Sequence, residues 1–148
     1  MGLSDGHMGL TEDYLAQLRQ TCSSAGVQPN AAEWLRGHAA GVLAYCTPKS
    51  AYLLGRAGQK ISAVCSKTAI EKMQRGYNFG AKYRNLQVGI DRIEQNIWRV
   101  EEKINELKRR NTAKDTNDAM FLEIELVKLK IQLRNAVEQQ RRFASWPQ

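Results

Sequence analysis

A chain of 148 residues suits one domain, or one domain with an elongated extension, and 43% hydrophobic residues can fill a modest core. The 22 Lys and Arg against 15 Asp and Glu leave a net charge of +7, which favours acidic partners and excludes a strongly acidic, self-repelling chain. No apolar run approaches the ~18 residues a membrane helix needs and no leader pattern opens the chain, so the reading is a cytoplasmic protein with no membrane span.

Residues 1–9 carry two Met-Gly-Leu starts, Met1 and Met8, and the His7-Met8 junction looks like a cloning remnant; this segment is expected to be disordered. Thr11 with Glu12 and Asp13 is a plausible helix start, because a hydroxyl and an acidic first turn complement free backbone N–H groups. Leu15, Leu18 and Cys22 give that helix an apolar side, and the stretch from Ser23 to Asn30 closes it. Asn30 followed by Glu33 reads as a capping box opening a second helix. Its broad apolar face runs through Trp34, Leu35, His38, Val42, Leu43 and Cys46. Thr47-Pro48 stops that helix and starts the next, since proline lacks only an N–H that has no partner at the first helical position.

From Pro48 to Arg110 there is no further proline, so the expectation is one very long helix, or two collinear ones, of about 90 Å at ~1.5 Å per residue. Gly76 and Gly80 predict a bend there, each glycine costing ~1 kcal/mol inside a helix. The spacings Gly37 to Gly41 and Gly76 to Gly80 are also those used by closely approaching helices. Leu86, Ile90, Ile93, Ile97, Val100, Ile104 and Leu107 then recur at steps of 4 and 3, the seam of a coiled coil. A polar turn at 111–117 sends the chain back into a last helix, where Leu122, Leu126, Leu129, Leu133 and Ala136 repeat the spacing. Residues 122–133 also alternate polar and apolar as a strand would, but Leu, Glu, Lys and Gln are helix formers and a helical partner is at hand. The predicted fold is all-α: a small N-terminal helical bundle over residues 10–78 continuing into a long antiparallel coiled-coil hairpin over 79–148. Trp34, Leu35, Val42 and Leu43 are expected to bury against Leu54, Ile61 and Cys65.

No constellation of side chains carries recognisable chemistry. The stretch from Gly55 to Ser62 has two glycines, a lysine and a serine, but its spacing is not that of a phosphate-binding loop and no strand leads into it. Cys22, Cys46 and Cys65 lack the short spacing of a zinc site and, being odd in number, read as free thiols packed like small hydrophobes in a reducing compartment. No catalytic residue, metal ligand or cofactor is therefore predicted.

Two surfaces remain. Met120, Ile124, Val127 and Ile131 recur at steps of 4, 3 and 4 on the side of the last helix away from its leucine seam, and one intrachain partner covers only one side. They are predicted to meet a second copy or another helical protein, which makes the chain a non-enzymatic, oligomeric coiled-coil scaffold or adaptor. The alternative is a nucleic-acid-binding packaging or architectural protein. Residues 49–84 hold eight Lys or Arg against Glu71 alone, and on one continuous helix Lys49, Arg56, Lys60 and Lys67 share a face that could follow phosphates or an acidic protein.

Overall fold

The computed structural model describes residues 1–24, 26–110 and 112–147, and among them every regular element is helical. The helices are α1 (Gly2–His7), α2 (Tyr14–Ser23), α3 (Ala31–Tyr45), α4 (Pro48–Ala57), α5 (Lys67–Arg110) and α6 (Ala113–Arg141). They group into two compact units, Met1–Lys82 and Tyr83–Pro147, with α5 contributing to both.

The first unit is built on helices whose backbones touch. In the pair α1 and α3, a Cβ on Gly2 would collide with the Trp34 carbonyl and one on Gly6 with that of His38, while one on Gly41 would strike the Leu3 carbonyl. The pair α4 and α5 repeats the device: Gly76 lies on the Pro48 carbonyl, Gly80 on that of Tyr52, and Gly55 on that of Tyr77. Gly76 and Gly80 thus mark no break. They are interior to α5 and clear the space in which α4 lies against it. The expected single rod from Pro48 is instead broken after Ala57, where Gly58 takes the left-handed conformation at φ 70° and ends α4. The chain then turns through 58–66 and begins α5 at Lys67.

Local signals at the starts of α3 and α4 act as read from sequence, whereas α2 begins at Tyr14 after Asp13 with no side-chain cap, not with the Thr11 hydroxyl. The Asn30 side chain accepts from the N–H groups of Ala32 and Glu33, and Thr47 accepts from Ser50 ahead of Pro48. Residues 2–7, expected as a disordered remnant, form α1 and are held from several sides. The Asp5 carboxylate accepts from Trp34 Nε1 at 2.7 Å, a His38 ring nitrogen lies 2.7 Å from the Leu10 carbonyl, and the Trp34 and His38 rings stack at 4.6 Å. Gly9, at φ 72°, leaves no room for a side chain because the Tyr45 ring lies over it, and its carbonyl accepts from the Ser62 hydroxyl at 2.6 Å.

The core of this unit is Tyr45, Ala51, Cys65 and Met73, with Leu54, Ile61, Val64, Ile70 and Tyr77 packed around them. It differs from the expected one, because Leu35 and Leu43 are exposed and Trp34 packs beneath α1 instead. Cys46 and Cys65 are also not free thiols: they form a disulfide with Cα atoms 5.6 Å apart, leaving Cys22 as the free cysteine.

The second unit contains the rest of α5 and α6, which pack together. Ile90, Ile104 and Leu107 of the seam are buried on α5, as is Ala119 on α6. Polar contacts flank them: Lys108 to Glu123 at 2.6 Å, Lys130 to Glu101 at 2.9 Å, and Gln140 to Gln87 at 2.6 Å. These partners descend along α5 as they ascend along α6, so the two run in opposite directions. The turn ends earlier than its polar composition suggested: Thr112 caps α6, accepting from the Asp115 N–H at 3.1 Å.

Candidate functional site

On α6 the leucines at 122, 126, 129 and 133 are half-buried on the side bearing Ala119, whereas the outer positions stand in solvent. Met120 is 57% exposed, Ile124 52%, Val127 58% and Ile131 46%. Helical spacing sets these four along one line, and Glu123 and Lys130 border it on the flank nearest α5, each held there by its ion pair. Ala119 and Met120 line a shallow depression with Lys108, Thr116 and Glu123, and a second one beside it is lined by Glu101, Ile104, Asn105, Lys108, Glu123 and Leu126. Trp98, 65% exposed, lies one helical turn before Glu101 on α5. Trp98 was not singled out in the sequence, although its place outside the 4-and-3 seam is the signal that it faces outward.

The basic residues are not aligned in this way. Lys49 and Arg56 lie on α4, Lys60 in the connection after Gly58, and Lys67 at the start of α5. The shared helical face expected of all four required an unbroken helix, and the left-handed turn at Gly58 ends that helix. Arg56 is further engaged with Tyr52, its guanidinium 5.7 Å from the ring centroid and 3.3 Å from the hydroxyl.

The carboxylates with displaced titration lie in the last turns of α5 and the first turn of α6. Glu106 is held below the usual carboxylate range, chiefly by the hydrogen bond and charge of Lys103. Asp115 is lowered chiefly by the Thr112 hydroxyl, with Arg110 adding its charge. Both belong to helix-end networks, Glu106 half-exposed and Asp115 partly covered beside Arg110, and their arrangement supplies local electrostatics. His38 and the disulfide are committed to packing in the first unit, and among the described residues no cluster of His, Cys, Asp and Glu has the arrangement of a metal site.

The glycine-packed unit ends at Lys82, and the same residues, 1–82, match a family model described as protein of unknown function (DUF2799). The chain belongs to the DUF2799 family. No curated protein and no solved structure matches it. The DUF2799 region thus takes in α1 to α4, the disulfide and the first part of α5, and stops short of the apolar line on α6. Its coverage of residues 1–9 agrees with the packing of Gly2, Asp5 and Gly6 against α3. No helix among the described residues is long and apolar enough to cross a membrane.

Proposed function

We propose that this protein is a non-enzymatic assembly module, in which a compact DUF2799 unit carries an antiparallel coiled-coil hairpin that associates through the outer face of α6. The observation that carries this reading is the exposed line Met120, Ile124, Val127 and Ile131. Each of these side chains gains about 1.5–3 kcal/mol on full burial, and four of them in helical register suit the groove of another helix. Nucleic-acid binding has weaker support, since Lys49, Arg56, Lys60 and Lys67 lie on three successive segments instead of the single helix that would have aligned them. The reading is tested by light scattering on the full chain at micromolar concentration. Wild type should exceed the 16.7 kDa of one chain, and the doubly substituted Ile124→Glu, Ile131→Glu protein should fall to that mass with its helical dichroism intact. A wild type that stays at one chain mass overturns the reading.

A disulfide in the core of the DUF2799 unit also favours an oxidising compartment over the cytoplasmic one expected from three unpaired cysteines. Trapping free thiols at the moment of cell lysis tests this: one modified cysteine, Cys22, is the expected result, and three would return the protein to a reducing compartment.

A further inference from the structure

We infer that the partner covering the outer face of α6 is a second copy of the same helix running antiparallel to it, an inference that rests on the assembly reading above and adds its partner and direction. The spacing of the line sets up the argument. Met120, Ile124, Val127 and Ile131 step by 4, 3 and 4, so a reversed copy can place Ile124 opposite Val127 and Met120 opposite Ile131, all four layers closing in one register. Continued outward, that register sets Arg134 against Asn117 of the second copy.

The flanking charges are independent of this apolar register and agree with it. On the flank nearest α5, antiparallel pairing brings Glu123 of one copy opposite Lys130 of the other, and by the two-fold symmetry this occurs twice. The structure already holds both side chains on that flank, because Glu123 is paired with Lys108 at 2.6 Å and Lys130 with Glu101 at 2.9 Å. Association would join these pairs into two four-membered alternating networks, Lys108–Glu123 with Lys130–Glu101 of the second copy. Such exposed ion pairs add little affinity, and they favour this register without setting direction, since a parallel pairing would bring Glu123 opposite Lys128 of the second copy. The parallel alternative pays a specific penalty, since it stacks Arg134 on Arg134 in the layer after Ile131.

Distance measurement between spin labels decides the direction. In a Cys22→Ser background, with the Cys46–Cys65 disulfide kept intact, an Asn135→Cys substitution places one label on the exposed surface of α6. Antiparallel pairing sets Asn135 level with Thr116 of the second copy, so the labels are offset along the axis by about 28 Å at ~1.5 Å per residue. Parallel pairing sets them side by side, at about the 10 Å separation of packed helices. Twice the chain mass with the long distance is the expected result. Twice the mass with the short distance overturns the antiparallel inference while leaving the assembly reading standing. The mass of a single chain overturns both.

Discussion

The two units hold their helices together by opposite means. In the DUF2799 unit the backbones themselves meet, with Gly2, Gly6 and Gly41 between α1 and α3 and Gly55, Gly76 and Gly80 between α4 and α5. In the second unit branched side chains such as Ile90 and Ile104 separate the backbones, and Gly89 has open space where a side chain would be. Backbone contact gives close dispersion packing and no tolerance for added atoms, whereas a side-chain seam absorbs small changes by shifting rotamers. The same residue, glycine, is therefore required in one region and a cost in the other.

The sharpest break of this contrast is Gly80→Ala, whose methyl group would be driven into the Tyr52 carbonyl. It should destabilise the first unit by at least about 3 kcal/mol, the upper range for overpacking, as measured by chemical unfolding. A loss below about 1 kcal/mol would mean that α4 and α5 can separate at little cost. Removing the disulfide with Cys46→Ser and Cys65→Ser should cost about 3 kcal/mol, the entropy of closing a loop of roughly this length, with the loss confined to the unfolding of the DUF2799 unit. Gly89→Ala should do the reverse of Gly80→Ala, raising stability by about 0.5–1 kcal/mol through better helix propensity in open space. Destabilisation there would show that the second unit also depends on close approach.

The smallest effect is electrostatic and local. The folded Asp115 carboxyl titrates below its ordinary value chiefly because the Thr112 hydroxyl donates to it at 2.6 Å. A lowered carboxyl value contributes stability that is present above the unfolded value and is lost as the pH falls through the folded one. Thr112→Ala should therefore move the Asp115 midpoint, followed by carboxyl carbon resonances, upward toward the ordinary range. A midpoint that does not move would assign the shift to Arg110, 3.0 Å away.

The parts of the fold legible in the sequence are those written in periodic side chains and local caps. The 4-and-3 recurrence through Ile90, Ile104 and Leu107 identifies the buried stripe of α5, and Asn30 and Thr47-Pro48 mark the starts of α3 and α4 because capping depends only on neighbours in sequence. Glycine packing was harder to read, since the cost of Gly76 and Gly80 is local while their benefit lies in the carbonyls of Pro48 and Tyr52, far along the chain. The available signal was recurrence: Gly-x3-Gly occurs at Gly2, Gly37 and Gly76, and Gly6 and Gly55 are each followed three residues later by a glycine that takes positive φ. The disulfide was hidden for a related reason, because Cys46 and Cys65 meet only once α4 has folded back on α5. The outer line on α6 was visible in advance as an apolar period out of phase with the leucine seam, and the exposure of its four residues is a physical observation that sequence alone does not supply.

The backbone contacts bear on how such a chain can change over generations. At Gly41 or Gly80 every substitution adds at least one carbon atom to a space already filled by main chain, so no second mutation in a neighbouring side chain can make room. The leucine seam of α6 and the outer line opposite it face side chains or solvent, where one apolar residue can exchange for another in single steps. Descendants of this chain are thus free to alter the outer surface of α6 while inheriting the DUF2799 unit nearly unchanged, without passing through an unfolded ancestor.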